Sequence, residues 1–291
     1  MTRYTMGGDE HLFVELSESM SLEAFFRAIM ITRELAALDL PGVTDICPAN
    51  ASYQVRFDPD VLPAGELRAT LEGIEAGLDI GHGTLATRIV EIPVLYDDPW
   101  TNETQQRFRD RHQDPESTDL AYAARVNGYP DAESFIAAHA ATPWFVSMVG
   151  FVAGLPFMYQ MVERDRQIQV PKYLKPRTDT PKLTVGYGGC FSCIYSVRGA
   201  GGYQMFGVTP VPIYDPDQRL DHLADFMILF RPGDIVKFRP VDRPEYDEIL
   251  AAVERNEFRL RSAPVEFSLR EFESDPAGYP ATMVEALRVH A

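Results

Sequence analysis

Apolar residues recur at helical and alternating spacings over the first ~90 positions, and this pattern predicts a small α/β unit. Amphipathic helices are predicted at residues 22–38 and 67–78, the first with Ser21 and Glu23 near its start. Short apolar runs predict strands at residues 11–16, 43–46, 51–57 and 87–94. The order strand, helix, two strands, helix, strand is typical of a ferredoxin-like α/β sandwich.

The pattern changes after residue 92. Two helices are predicted at residues 120–127 and 132–140, separated by Asn127-Gly128 and Pro130-Asp131. Beyond Pro143, short apolar runs alternate with Gly and Pro about every ten residues, which favours a β-barrel or sandwich. A strand is predicted at residues 235–238, and the tail is predicted to contain a helix at 246–255, a strand near 265–268 and a helix from 281. The fold class is therefore α+β.

The charge balance limits the kinds of partner that the protein can have. Lys and Arg total 27 against 43 Asp and Glu, a formal net charge of -16. This balance argues against nucleic acid or an anionic membrane surface as the main partner. One basic run opposes the trend, because residues 172–182 carry four cations and one Asp. That run is either a solvated loop or an anion-handling segment, and charge alone leaves both interpretations open.

The sequence shows no targeting or membrane segment. The first residues lack the apolar run of a signal peptide, and no window reaches the ~20 apolar residues of a membrane span. Three cysteines (Cys47, Cys190 and Cys193) are too few for a disulfide framework. We therefore expect a cytoplasmic protein.

A glycine-rich window is the most distinctive local feature, formed by Gly186, Gly188, Gly189, Gly199, Gly201, Gly202 and Gly207. Glycine at this density lets backbone approach backbone or a ligand closely. The phosphate-binding patterns require a glycine loop that opens a helix, whereas residues 203–208 are predicted to form a strand. A nucleotide loop is therefore not expected here.

The other residues with chemical potential form no recognised motif. Cys190 and Cys193 make a CxxC without the further ligands of a zinc site or the helix N-terminus of a redox pair. We interpret them as small residues of a tight hairpin. The six histidines form no metal-binding spacing, and Ser192 is not in a nucleophile elbow. The residues alone therefore indicate a glycine-rich β-domain without a named reaction.

The segment from Pro171 to Thr209 resembles the carboxyltransferase domain of urea carboxylases. The likeness begins with Val-Pro-Lys-Tyr-Leu-Lys-Pro-Arg-Thr-Asp-Thr-Pro at 170–181, and Val-Gly-Tyr-Gly-Gly and Cys-Ile-Tyr follow. It continues through Gly-Ala-Gly-Gly-Tyr-Gln at 199–204 and then Gly207 and Thr209. Residues 43–59 and 90–99 are similar to upstream parts of the same broad family, which includes allophanate hydrolase subunit 1, the B-type subunit of 5-oxoprolinase and a sporulation-kinase inhibitor.

The resemblance implies an architecture. A ferredoxin-like α/β subdomain is expected at residues 1–88, a cyclophilin-like β-barrel at 89–243 and a helical connector at 244–291. The tail from residue 245 to 272 resembles the connector that follows this domain in urea carboxylases.

The resemblance also implies a function. The chain is expected to form half of a carboxyltransferase that moves CO2 from carboxybiotin to urea, guanidine or a related amide. Neither a biotin-carrying Ala-Met-Lys-Met nor an ATP-grasp segment is seen. The expected partners are therefore a complementary carboxyltransferase half (A/B-type), a biotin carboxylase that uses the ATP, and a biotin carrier.

Departures from the urea carboxylase pattern leave the substrate open. Asp179 stands where those enzymes tend to have Trp, and Lys182-Leu183 replaces an acidic-amide pair. Residues 150–157 (Gly-Phe-Val-Ala-Gly-Leu-Pro-Phe) instead resemble the hydrolase-like members. One alternative is thus a subunit of an ATP-dependent lactam or amide hydrolase such as 5-oxoprolinase, without biotin, and another is a non-catalytic kinase-binding regulator.

Candidate site residues follow from the chemistry that carboxyl transfer needs, namely cations or N–H donors for a developing anion. Arg177 is a candidate for a bidentate carboxylate contact, Lys172 for a positive charge, and Tyr203 and Gln204 for ligand contact. Tyr203 and Gln204 are consecutive on a strand, so at most one faces the ligand. Candidate cofactor contacts are Gly186, Gly188, Gly189, Gly201, Gly202 and Tyr195.

Overall fold

The computed structural model describes residues 2–289, and over these residues it contains fourteen strands and eight α-helices. The strands are β1 (Arg3–Met6), β2 (His11–Glu15), β3 (Val43–Ala49), β4 (Ser52–Phe57), β5 (Thr84–Tyr96), β6 (Trp144–Val149), β7 (Pro156–Gln160), β8 (Arg177–Thr180), β9 (Thr184–Gly188), β10 (Phe191–Ile194), β11 (Gly199–Gly201), β12 (Gln204–Val208), β13 (Ile235–Pro240) and β14 (Ser262–Ser268). The helices are α1 (Leu22–Ala37), α2 (Ala64–Gly77), α3 (Pro99–Arg107), α4 (Asp119–Val126), α5 (Ala132–Ala141), α6 (Arg243–Glu254), α7 (Leu269–Ser274) and α8 (Tyr279–Val289).

One compact unit comprises the residues up to Thr87 together with Glu266–Asp275. Its four strands form an antiparallel sheet in the order β1-β2-β4-β3. The sheet alternates buried and more exposed side chains, and its inward residues form a core with the apolar faces of α1 and α2. Ser21 begins α1 by accepting a hydrogen bond from the Ala24 N–H at 3.2 Å.

The strand predicted at residues 87–94 forms as part of β5, but the expectation that it closes the first sheet is wrong. β5 belongs to the larger sheet, and the outer position beside β2 is taken by β1. The physical reason lies in the side chains. Val90, Ile92 and Val94 of β5 are fully buried, whereas β1 has mostly exposed side chains that suit an edge strand.

The second unit comprises Arg88–Val265 and, among the described residues, 276–289, and it is built on a closed sheet. Its strands follow the order β12-β9-β10-β7-β6-β13-β5-β14, and β12 also pairs with β5. Seven strands thus close into a barrel, with β14 outside on β5. Gly207 permits the closure, because a Cβ there would lie 2.8 Å from the Cα of Tyr96 on the neighbouring strand.

The barrel interior is filled by apolar side chains from every wall, among them Ile92, Trp144, Val185, Phe206 and Phe238. β13 runs parallel to β5, and the other registered pairs in the barrel are antiparallel. A separate two-stranded ribbon, β8 and β11, carries part of the glycine-rich window. The molecule is thus a mixed α+β protein, as predicted.

Most of the predicted helices lie within a few residues of their expected ends. α4 and α5 match the two helices predicted before Pro143, and α6 begins at Arg243 because Asp242 accepts a hydrogen bond from the Glu245 N–H. The boundaries predicted for three domains stay a prediction. Within residues 2–289, no helix combines the length and apolar character that a membrane crossing requires.

Candidate functional site

A cavity of about 390 Å³ lies against the outer face of the barrel wall. Phe157 of β7 and Cys193 of β10 face it, while their neighbours Met158 and Ile194 belong to the barrel core. The lining is Phe151, Leu155, Phe157, Lys172, Tyr173, Pro176, Cys193, Tyr195, Ala200, Gly201, Gly202 and Tyr203. A concave, mainly aromatic site with a few polar groups is the usual form of a small-molecule pocket.

The cavity gathers half of the residues predicted from the sequence. Lys172, Tyr195, Gly201, Gly202 and Tyr203 all line it. The Lys172 Nζ lies 5.1 Å from the centroid of the Tyr203 ring, within cation–π range. The Lys172 side chain therefore brings positive charge to a wall that is otherwise apolar.

Arg177 lies directly behind this wall. It is fully buried, and its guanidinium carbon is 4.4 Å from the centroid of the Tyr173 ring. Its Nε donates to the Thr180 Oγ1 at 3.3 Å, but Nη1 and Nη2 have no hydrogen-bond partner among residues 2–289. The Asp119 carboxylate balances part of the charge of Arg177, but buried N–H groups without acceptors still cost free energy. Two strong donors without acceptors among the described residues therefore lie behind the cavity wall, although they do not line the cavity itself.

Asp119, the first residue of α4, is a buried carboxylate that sequence reasoning missed. It accepts hydrogen bonds from the Tyr173 hydroxyl at 2.7 Å and from the Met205 N–H at 2.6 Å. Burial raises the pKa of Asp119, and these hydrogen bonds and the charge of Arg177 oppose the rise. In the sequence, the position of Asp119 at the start of a helix indicates only a capping role. Its contacts with Tyr173 and Met205 have no local signal, because these residues are distant in sequence.

Gln204 does not line the cavity, so of the consecutive pair only Tyr203 faces it. The Gln204 Oε1 lies 2.8 Å from the His112 Nε2, and its amide nitrogen donates to the Pro171 carbonyl at 2.8 Å. Gln204 thereby fixes the backbone just before Lys172. His112 was also missed, because no local motif marks a contact across 92 positions.

Three of the predicted glycines make room for the tyrosine rings. A Cβ on Gly188 would lie 2.8 Å from Cγ of Tyr203, and one on Gly201 would lie 2.7 Å from Cζ of Tyr195. A Cβ on Gly186 would lie 3.1 Å from Cε2 of Tyr195 and 3.1 Å from the Gln204 carbonyl oxygen, which is a tight contact. The backbone must therefore be bare at Gly188 and Gly201 for the two tyrosine rings to occupy their positions.

The remaining predicted glycine and the cysteine pair lie at the hairpin of β9 and β10. Gly189 has a φ of +66° and lies in the turn between β9 and β10. Cys193 faces the cavity as a free thiol whose pKa is raised by burial, and Cys190 is a half-buried free thiol. Over residues 2–289, no group of three or more His, Cys, Asp or Glu side chains is placed to hold a metal ion.

Comparison with protein families gives a match over most of the chain. The family model described as carboxyltransferase domain, subdomain C and D, matches residues 2–224. The urea amidolyase of Lachancea kluyveri is 26% identical over 267 residues, covering 89% of this chain and 14% of that protein. The B-type subunit of the Bacillus subtilis 5-oxoprolinase is 26% identical over 249 residues, covering 82% of this chain and 92% of that protein.

Solved structures agree on the fold. The crystal structure of the K. lactis urea amidolyase aligns with a TM-score of 0.84 at 22% identity, covering all of this chain and 18% of that one. The chain thus spans less than a fifth of the urea amidolyases it matches.

Proposed function

Because the chain belongs to the family of carboxyltransferase subdomains C and D, we propose that it forms half of the carboxyltransferase of a multi-subunit, biotin-dependent carboxylase. The reaction would move CO2 from carboxybiotin to urea, guanidine or a related amide. Biotin and ATP would belong to a carrier and a biotin carboxylase, and a complementary A/B-type half would complete the site.

The observation that carries this proposal is the buried guanidinium of Arg177 behind an aromatic cavity, with no hydrogen-bond acceptor for Nη1 and Nη2 among residues 2–289. A cavity of about 390 Å³ is within the usual range for a small ligand, and Tyr195 and Tyr203 belong to its lining. Nη1 and Nη2 of Arg177 suit a carboxylate. The residues present therefore fit a ring that bears a transferable carboxylate.

Each residue has a distinct role in the proposed reaction. Bound carboxybiotin would supply the activated carboxylate. Arg177 would orient this carboxylate through parallel hydrogen bonds. Lys172 would stabilise the negative charge that develops on the ureido group as the carboxyl group leaves it. Asp119 accepts a hydrogen bond from the Tyr173 hydroxyl and so positions the Tyr173 ring, which the Arg177 guanidinium contacts. The group that accepts the substrate's proton is assigned to the complementary half.

The glycines have two kinds of role in this proposal. Gly201 and Gly202 line the cavity and could offer backbone N–H groups to the ligand. Gly186 and Gly188 act through the tyrosine rings they accommodate, and Gly189 turns the chain between β9 and β10. Gln204 acts through the Pro171 carbonyl.

The finer fold and location belong to the same proposal. We assign the first unit to the ferredoxin-like class with β1 in place of its final strand, and the barrel to the cyclophilin-like class. Three free thiols suit a reducing compartment, so we place the complex in the cytoplasm.

A second candidate is a component of an ATP-dependent lactam hydrolase. It is favoured by the match to 92% of the Bacillus subtilis 5-oxoprolinase component, a protein of nearly the size of the matched region. A lactam with a carboxylate would suit the same cavity and the same arginine.

The test is purification of the tagged chain from its native host, followed by a streptavidin probe of the proteins that co-purify. We expect a biotinylated partner and carboxylation of urea or guanidine that depends on ATP and bicarbonate. A complex that lacks biotin and hydrolyses 5-oxoproline with ATP would refute the carboxyltransferase and support the hydrolase.

Substitution of Arg177 connects the activity to the cavity. In the purified complex, Arg177→Met is expected to lower turnover at least ~100-fold, since it removes the donors that orient the carboxylate. Its unfolding temperature is expected to fall, because the buried Asp119 carboxylate loses the positive charge that opposes the effect of its burial, so turnover is compared below that temperature. Lys175→Met, at an exposed lysine outside the cavity lining, is the control and should keep full turnover. Full turnover by Arg177→Met would refute the role of Arg177.

A further inference from the structure

Phe151 is an exposed aromatic residue at the rim of the cavity. Its side chain lines the cavity, yet the residue is 67% exposed. The other aromatic residues of the lining are buried or half-buried. Over residues 2–289, the Phe151 ring makes no ring–ring contact that would hold it in place.

The backbone at Phe151 is in the left-handed region, with a φ of +70°. A bulky residue adopts this conformation rarely, at a cost on the order of 1–2 kcal/mol. Leu183 has a similar φ of +65°, but its side chain is buried in the barrel core, so packing offsets the strain. No such packing offsets the strain at Phe151, and strain of this kind concentrates at ligand sites.

The loop around Phe151 is fixed by its own hydrogen bonds. The Gly150 N–H donates to the Leu155 carbonyl at 2.9 Å, and the Leu155 N–H donates to the Val152 carbonyl at 3.2 Å. The Ser196 hydroxyl donates to the Ala153 carbonyl. The loop therefore holds the Phe151 Cα and Cβ at the rim before any ligand arrives, which lowers the entropic cost of binding.

From these observations we propose that Phe151 is a ligand-binding residue that covers one face of a planar cyclic amide. The ligand's ring lies among Phe151, Tyr195 and Tyr203, and its carboxylate points toward Arg177. An N-carboxylated ureido ring and a lactam that bears a carboxylate share this chemistry. The inference rests on the proposed function only in taking the cavity as the ligand site.

The experiment compares three variants of the full chain, with free biotin as a probe of the ureido ring without its ring carboxylate, and 5-oxoproline as the lactam probe. Binding is measured by saturation-transfer NMR titration, and stability by the unfolding temperature. Phe151→Gly removes the ring and also suits the positive φ. Phe151→Tyr keeps the ring. Leu174→Ala removes an apolar side chain that is 71% exposed and lies outside the cavity lining, so it serves as the matched control.

We expect Phe151→Gly to bind the probe about tenfold more weakly, because it loses an aromatic contact and the apolar area that the contact buries. Its unfolding temperature is expected to be equal to or above that of the wild type. Phe151→Tyr and Leu174→Ala should bind as the wild type does. In the complex, Phe151→Gly should raise KM more than it lowers kcat.

Three results would overturn the inference: equal probe binding by Phe151→Gly and wild type, a clear fall in the unfolding temperature of Phe151→Gly, or no binding of either probe to the wild type. Binding of 5-oxoproline alone, weakened by Phe151→Gly, would support the inference while refuting the carboxyltransferase. Biotin binding that is weakened by Phe151→Gly would support both the inference about Phe151 and the carboxyltransferase proposal.

Discussion

At the scale of single residues, the site depends on where side chains are missing. Tyr203 and Tyr195 stand against Gly188 and Gly201, and each ring occupies the volume that a Cβ would need. The glycines are evident in the sequence, but two interpretations of them are possible. They could expose backbone N–H groups to a ligand, or they could leave space for neighbouring aromatic rings. Only the positions of the two tyrosine rings in the folded chain separate the two interpretations.

Gly188→Ala is expected to displace the Tyr203 ring and to destabilise the fold by about 1–3 kcal/mol through overpacking. Urea unfolding measures the loss of stability, and probe binding should weaken with it. Gly199→Ala is the matched control, since nothing lies within 4 Å of its Cβ and its φ is ordinary. Equal stability of the two variants would show that the Tyr203 ring yields without cost.

At the scale of elements, the ribbon of β8 and β11 positions the arginine and one cavity wall. Arg177 on β8 is opposite Gly201 on β11. Asp179, also on β8, joins the Arg107 Nη2 of α3 at 2.9 Å and the Arg198 Nε at 2.6 Å. Hydrogen bonds from Arg198 and Arg107 hold the pKa of Asp179 far below its usual range. The carboxylate thus ties the ribbon to α3 at neutral pH.

Asp179→Asn is expected to loosen this ribbon, because a neutral amide cannot attract two guanidinium groups. Amide hydrogen exchange in β8 and β11 should become faster, while the barrel strands keep their protection. Asp217→Asn, which breaks an exposed pair with Arg219, is the control and should leave the ribbon unchanged. Unchanged exchange in Asp179→Asn would show that backbone pairing alone fixes the ribbon.

At the scale of the whole molecule, the closed barrel encloses a histidine. His139 is fully buried, stacks on Phe238 with ring centroids 5.1 Å apart, and has its Nδ1 2.8 Å from the Tyr96 hydroxyl. Burial lowers its pKa to about 3, and the charge of Lys237 adds to this. The imidazole is therefore neutral in the folded protein.

Acid should destabilise the fold through His139. The pKa of His139 in the folded protein lies below the value of about 6.5 expected after unfolding. Below pH 6.5, His139 therefore binds a proton in the unfolded chain but not in the native chain. This contribution to stability is complete above pH 6.5 and is lost as the pH falls toward 3, by up to ~1.4 kcal/mol per pH unit.

Urea unfolding between about pH 6.5 and about pH 5 measures this slope. His139→Phe should flatten it, whatever its effect at neutral pH, and His82→Ala at an exposed histidine should not. Equal slopes for His139→Phe and the wild type would mean that the acid sensitivity arises elsewhere.

The sequence predicted much of this fold because its signals are local. Periodicity placed α1, α4 and α5 within a few residues of their observed ends, since an apolar face must repeat wherever the helix packs. The error concerned β5, whose strand character was correct and whose sheet was not. Strand pairing depends on the path of the chain, and no local pattern records it.

In the candidate site, too, some features follow from the sequence and others only from the tertiary structure. The sequence by itself determined the residues of the Pro171–Thr209 segment, their family likeness and the presence of Lys172, Arg177 and the glycines. Only the tertiary structure decided that Asp119 and His112 support them, that Gln204 points away, and that Phe151 stands at the rim. These contacts join residues that are far apart in the chain, so they exist only when the closed barrel and its flanking helices bring them together.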